Sequence, residues 1–176
     1  DDLSLVSMCA GDGRDTLPVL AATAPGTRAV LVEIDEELAG AARRTAASLG
    51  LERVEVRTAD AGTTDSYADA VPADVLLVCG VFGNVRDAEA ARTVATLPML
   101  LAGGATVVWT RGRRVDHDPT EFPGDPSEHI RELFAAAGFE ELSFVRPEDA
   151  GFRVGVHRLV VPPQPWQPGG RMFDFV

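Results

Sequence analysis

Leu3 to Cys9 (LSLVSMC) runs directly into Ala10-Gly11-Asp12-Gly13, and this junction constrains the fold more tightly than any other stretch of the chain. A short, mostly apolar run marks a strand buried on both faces, as in a parallel sheet covered by helices. Two glycines at its end let the backbone turn sharply into a helix, and they put no Cβ in the way of a bound group. Leu17, Leu20, Ala21 and Ala24 then recur at helical spacing until Pro25-Gly26 stops them.

The alternation continues. Residues 29–34 (AVLVEI) make a second strand, and Leu38, Ala42, Thr45, Ala46 and Leu49 form the inner stripe of a second helix ended by Gly50. Residues 54–58 (VEVRT) are shorter and more polar, as suits a sheet edge. A fourth strand is expected at residues 74–79 (DVLLVC), then a helix capped by Asp87 with Ala91, Val94 and Leu97 inward, ending at Pro98. The Gly103-Gly104 turn introduces a fifth strand at 105–110 (ATVVWT). A polar loop, 111–124, holds three arginines, His117 and two prolines. Asp125-Pro126 then starts a helix whose buried face carries Ile130, Leu133, Phe134 and Ala137. Only a turn-rich segment, residues 146–151, separates the strand-like residues 139–145 and 152–161. No helix fits between them, so they should pair as an antiparallel hairpin.

This order predicts an α/β fold, a doubly wound and mostly parallel sheet with helices on both faces. Residues 1–161 form its one domain, and the proline-rich 162–176 is an extended tail expected to pack on it. Such sheets bind ligands at the carboxyl ends of their strands, where strand order reverses.

Length and composition fit a single enzyme domain. At 176 residues and 45% apolar content the chain can bury a proper core. A net charge of −11 argues against a nucleic-acid partner and against docking on anionic membranes. The expected partner is a small-molecule substrate. No apolar run approaches the roughly 18 residues of a membrane span. The opening Asp1-Asp2 offers no signal peptide, and a central strand so near residue 1 leads us to expect further residues ahead of it. Cys9 and Cys79 are the only cysteines and stand outside any metal-ligand spacing, so neither a metal site nor a disulfide scaffold is expected. The default compartment is the cytoplasm.

Four stretches can carry chemistry. The first is the glycine turn, Ser7 to Asp15; alone, a Gly-x-Gly after a strand also serves as a simple connector. The second is Glu33, 20 residues after Gly13 at the end of the second strand, where a carboxylate can accept both hydroxyls of a ribose. Its plainer role is a solvated acid at a helix start, beside Asp35, Glu36 and Glu37. The third is Asp60, just beyond the third strand, an acceptor for an exocyclic amine or a turn-capping residue. The fourth is Cys79-Gly80-Val81-Phe82-Gly83-Asn84, a pocket wall with a flat apolar face and one polar group, or a strand-to-helix loop.

From the glycine turn to the closing hairpin the chain resembles class I S-adenosylmethionine (SAM)-dependent methyltransferases. Cys-Ala-Gly-Asp-Gly-Arg-Asp and Gly-Val-Phe-Gly-Asn-Val make it most similar to uncharacterised bacterial members. The resemblance implies a seven-stranded sheet in the order 3-2-1-4-5-7-6, with strand 7 antiparallel and inserted beside strand 5. It implies SAM as cofactor, held by Cys9, Gly11, Asp12, Gly13, Glu33, Ile34, Asp60, Ala61, Cys79, Gly80 and Val81. Gly11 and Gly13 match the turn under the methionine part, Glu33 the ribose acid and Asp60 the adenine-side acid. Ser7 and Cys9 depart from the family, whose loop often begins with an acid and a glycine. Ser7 has no carboxylate for the methionine ammonium group, which leaves Asp12 or a backbone carbonyl for that part.

Phe82, Asn84 and Arg111 are the candidates for the acceptor pocket, with Arg113 and Arg114 beside Arg111 as a basic cluster for an anionic substrate. A general base is needed only where the acceptor carries a proton of high pKa. His117 is the candidate, with Asp118 and Glu121 nearby, although a lone loop histidine is more often simply solvated. Two other functions compete. A nicotinamide-dependent reductase would want a third glycine at position 16, where Thr16 stands. A SAM-binding module without catalysis would share the cofactor residues. Finally, if strands one and four are neighbours, Cys9 and Cys79 should lie close together on the cleft floor as free thiols.

Overall fold

The computed structural model describes residues 3–112, 125–148 and 150–176. Its sheet has seven strands: β1 (Ser4–Met8), β2 (Arg28–Glu33), β3 (Val54–Thr58), β4 (Ala73–Val78), β5 (Leu101–Gly112), β6 (Phe139–Val145) and β7 (Phe152–Leu159). They lie in the order β3-β2-β1-β4-β5-β7-β6. The first five run parallel, and β7 is antiparallel to both β5 and β6. The expected hairpin is therefore present, with β7 inserted beside β5.

Helices α1 (Leu17–Thr23), α2 (Glu36–Ser48), α3 (Asp87–Thr96) and α4 (Pro126–Ala136) cover the two faces. Alternation along β2 assigns the layers. Ala29 and Leu31 pack with Leu17, Leu20, Ala42 and Ala46 of α1 and α2. Val30 and Val32 face the opposite core, which holds Ala90 and Val94 of α3 and Ile130 and Phe134 of α4. Strands apolar at every position are thus explained by helices on both sides. At the amino edge the Ser4 N–H and hydroxyl both donate to Asp74, stitching β1 to β4.

Several details differ from the sequence reading. Leu38 and Leu49, expected on the inner stripe of the second helix, are both 40% exposed, and the buried face of α2 is Ala39, Ala42 and Ala46. Asp87 is the first residue of α3 and Arg86 holds the cap position, its N–H donating to the Glu89 carboxylate. The Gly103-Gly104 pair lies inside β5, where the partners of Ala73 and Val75 jump from Leu101 to Thr106. The extra residues bulge out of the ladder, and Gly104 takes a φ of +78° that glycine adopts without strain. β7 ends at Leu159, two residues short of the expected Val161.

Among the described residues the largest fully buried side chain is Trp109 on β5. Its ring stacks on Phe134 at 6.0 Å, Phe82 meets it edge-on at 6.0 Å, and its Nε1–H donates to His157 Nδ1 at 3.1 Å. His157 is 1% exposed and stacks on Phe134 at 4.5 Å. Burial holds its pKa below the ordinary 6.5, against the opposing pull of the Glu141 carboxylate. The folded state therefore binds its proton more weakly than the unfolded chain does. This contribution to stability is complete above pH 6.5 and is lost as the pH falls below it, by up to about 1.4 kcal/mol per pH unit. Urea unfolding at pH 7.5 and 5.5 should show the loss in the wild type and a smaller one in His157→Gln, whose amide oxygen can still accept from Trp109. Equal losses in both proteins would refute this assignment.

Candidate functional site

The parallel strands bring four loops to one edge of the sheet. Met8 pairs with both Val32 and Val78, and Glu33 pairs with Thr58. Cys9, Glu33, Asp60 and Cys79 therefore emerge side by side although they are spread over 70 residues of sequence. The strand order reverses between β1 and β4, so this edge is also the topological switch point.

Glycine geometry shapes the first loop. Gly11 and Gly13 have φ of +57° and +74°. A Cβ on Gly13 would lie 2.6 Å from the Leu17 side chain, so the turn must be bare for α1 to pack. A Cβ on Gly11 or Gly80 would meet nothing within 4 Å, because both border open space at the edge. Cys9 has a φ of +53°, the one described non-glycine residue with positive φ. That conformation costs on the order of 1 kcal/mol or more and explains why a glycine would be at home here.

Glu33 is the best-anchored acid of the edge. It is only 7% exposed, and its two oxygens accept from the Gly11 N–H at 2.8 Å and the Asp35 N–H at 2.9 Å. A buried carboxylate needs such donors, and these two join the glycine turn to the start of α2. The side chain faces the turn, as its spacing predicted. Asp35 meanwhile caps α2 by accepting from Leu38. Asp60 is held differently: one oxygen accepts from Gly62 at 2.8 Å, and the other pairs with Arg171 from the far end of the chain. The Tyr67 hydroxyl donates to the Ala61 carbonyl at 2.8 Å and Ser66 to the Asp60 carbonyl at 2.6 Å, which fixes this loop from beneath.

Three adjoining cavities follow the edge. The first, about 90 Å³, is lined by Cys9, Glu33, Ile34, Asp60, Ala61, Phe173 and Phe175. The second, about 420 Å³, takes in Cys9, Gly11, Asp12, Asp15, Leu38, Cys79 and Gly80. The third, about 650 Å³ as bounded by the described residues, is lined by Asp15, Cys79, Gly80, Gly83, Asn84, Thr110, Gly112 and Phe152. Cys9 joins the first to the second, and Asp15, Cys79 and Gly80 join the second to the third.

Not every expected residue lies on this cleft. Val81 and Phe82 are fully buried, Phe82 against Trp109 and Phe134, so they support the floor from within the core. Arg111 is 7% exposed and sits inside β5 opposite Arg153, rather than at the head of a loop. Asp12 faces the second cavity, and its carboxylate is engaged by the Arg14 guanidinium at 2.6 Å. Arg113, Arg114, His117, Asp118 and Glu121 lie outside the described residues. Conversely, Asp15, Thr110 and Phe152 line the cleft without having been singled out. Asp15 closes the glycine motif and Thr110 ends a strand, which are the signals that were available. Phe173 and Phe175 had none.

Cys9 and Cys79 follow paired residues on neighbouring strands, line the same cavity and are free thiols. Burial, with the charges of Glu33 and Asp60, pushes the Cys9 pKa up to about 12. Burial and Asp15 raise Cys79 to about 11, against a hydrogen bond from Thr110 that lowers it. Both are neutral near pH 7 and poor nucleophiles. Among the described residues no cluster of His, Cys, Asp and Glu is arranged to hold a metal, and no helix is long and apolar enough to cross a membrane.

No family model and no curated protein matches the sequence. Solved structures do match the fold. Magnesium protoporphyrin IX methyltransferase from Synechocystis PCC 6803, with bound S-adenosylhomocysteine (SAH), superposes with a TM-score of 0.68 at 16% identity, over 89% of this chain and 74% of that one. Fibrillarin, a pre-rRNA processing protein of Methanococcus jannaschii, gives 0.70 at 19% identity, over 90% and 66%. The cyclase SpnF gives 0.66 at 16% identity, over 89% and 75%. The seven-stranded order with its antiparallel β7 is the fold of class I SAM-dependent methyltransferases.

Proposed function

We propose that the chain binds SAM along this edge and transfers its methyl group to a small-molecule acceptor. The observation that carries the reading is Glu33: a buried carboxylate, held by the glycine turn and by the start of α2, that lines the first of three adjoining cavities. A carboxylate so placed suits a ribose diol, with room for a base on one side and for an amino-acid tail on the other. Gly11 and Gly80 leave open space over the middle cavity, where any side chain would intrude.

In this reading Glu33 would hold the ribose, the loop from Asp60 to Ala61 would border the base, and the turn from Cys9 to Gly13 would lie under the methionine part. When bound, SAM supplies an already activated methyl group. The protein's work is then to align the acceptor and exclude water. Asp15, Cys79 and Gly80 stand where the second cavity opens into the third, so the methyl group would be presented there. Asn84 and Thr110 supply polar contacts on the acceptor side, and Phe152 an apolar one. The neutral thiols of Cys9 and Cys79 do not compete for the methyl group.

The ligand test is direct. Saturating SAM or SAH should raise the thermal midpoint, adding about 2.7 kcal/mol of stability at a hundredfold excess over Kd. NADPH should leave it unchanged, since the third glycine of a dinucleotide turn is replaced by Thr16, a buried residue at the start of α1. A shift with NADPH alone would reverse the assignment. Incubating the protein with labelled SAM and a metabolite pool then reveals the acceptor, and turnover separates an enzyme from a binding module.

A further inference from the structure

The proline-rich tail ends in a segment built into the site. Residues 162–167 belong to no helix or strand, and the chain then turns at Pro168-Gly169, where Gly169 has a φ of +73°. Arg171 bridges to Thr63, the Met172 N–H donates to the Gly62 carbonyl at 2.8 Å, and the Thr64 N–H donates to the Gly170 carbonyl at 2.9 Å. Arg92 and Thr93 of α3 both donate to the Met172 carbonyl. Met172 and Phe173 are 0% and 2% exposed within the main core. Gly62 is needed for this fit, because a Cβ there would stand 2.3 Å from the Phe173 carbonyl oxygen.

Phe175 is anchored through its backbone but not buried. Its backbone is pinned on both sides, by Asp174 N–H to Glu89 at 3.3 Å and Val176 N–H to the Asn84 carbonyl at 3.1 Å. The residue nevertheless stays 50% exposed, its ring meeting Phe173 at 5.4 Å between centroids. Ile34, at the start of the loop after β2, is 64% exposed. These two large apolar side chains border the same small cavity as the Glu33 and Asp60 carboxylates. Apolar surfaces beside two fixed acceptors match a nucleoside, a flat heteroaromatic base with an exocyclic amine joined to a ribose diol. At about 90 Å³ the cavity is below the roughly 300 Å³ of typical ligand pockets, so admitting a base requires the half-exposed Phe175 ring to turn aside.

We propose that the segment from Arg171 to Phe175 is the purine-side wall of the cofactor site, with Phe175 as its apolar contact to the adenine. Arg171 serves this wall as a positioning residue. It pairs with Asp60 and with Asp174, and so ties the acid beyond β3 to the strap that covers it. The proposal rests on the SAM reading given above.

Calorimetry with SAH on the full chain tests it. Phe175→Ala should bind SAH about 3- to 10-fold more weakly, the worth of one aromatic contact, with the midpoint of the ligand-free protein within a few degrees of wild type. Phe175→Trp should keep the affinity, and its added indole emission should respond to adenosine but not to methionine. Undiminished affinity in Phe175→Ala, or an indole emission in Phe175→Trp that is blind to adenosine, overturns the wall. If Phe175→Ala does not fold, the Phe175→Trp emission decides alone. Failure of the wild type to bind SAH removes the cofactor reading itself, and is distinct from a wild type that binds while Phe175→Ala binds equally well.

Discussion

Glu33→Gln is expected to weaken SAH binding on the order of 100-fold. The carboxylate already accepts from Gly11 and Asp35, one donor per oxygen, and it lines the smallest of the three cavities with lone pairs left to accept from a ligand. Glutamine keeps one oxygen and replaces the other with an NH2 group, which would face a backbone N–H donor to donor. The side chain must then abandon one backbone partner, and it meets a ribose with a single neutral acceptor. Hydrogen bonds to a charged group contribute about 1.5–3 kcal/mol each, so losing one together with the charge on the other gives a change of that size. Calorimetry reads the affinity, and circular dichroism confirms that the sheet is intact. An affinity within threefold of wild type would remove Glu33 from the ribose role while leaving the fold untouched.

Gly155→Ala is expected to destabilise the protein by about 3 kcal/mol, lowering the midpoint by roughly 6–12 °C. Gly155 lies directly across from Trp109 in the β5–β7 ladder, and an added Cβ would stand 2.2 Å from the indole. The indole has nowhere to retreat: Phe134 stacks on it, Phe82 meets it edge-on, and His157 accepts its N–H. Relief therefore means breaking the bond to His157 or spreading β7 from β5. A Trp109→Phe background leaves more room, so the same change should cost less there, and the difference measures the coupling. A midpoint within 2 °C of wild type would show that the core yields more easily than this geometry allows. The site would feel the failure as well, since β5 and the start of β7 contribute Thr110, Gly112 and Phe152 to the third cavity.

The cleft was legible in the sequence to the extent that its parts are local. The Gly11-x-Gly13 turn, the acid 20 residues later and the acid beyond the third strand each announce themselves within a few residues, because turn geometry and strand ends are short-range properties. Membership of the lining was less readable. Phe82 follows Cys79 and Gly80 in one loop, yet its ring turns inward to meet Trp109 and Phe134, residues 27 and 52 positions further on. Arg111 reads as the first residue of a charged loop, and becomes an interior residue because β5 continues through it to pair with Arg153. The Gly103-Gly104 bulge hid the true start of that strand for the same reason: a ladder is defined by its partners.

What the sequence determined by itself is the architecture and the edge at which chemistry can occur. Continuous apolar runs with helical segments between them demand a parallel sheet covered on both faces, and two closing strands too close for a helix demand a hairpin. The tertiary structure alone decided three things. It placed Phe173 and Phe175 against an acid more than a hundred residues earlier, tied Arg171 to Asp60, and set Gly155 under Trp109. Hydrophobic periodicity reports whether a residue is buried, because burial repeats with the local backbone. It does not report which distant side chain is met, because that depends on strand order, register and the path of a tail, which only the whole packed chain selects.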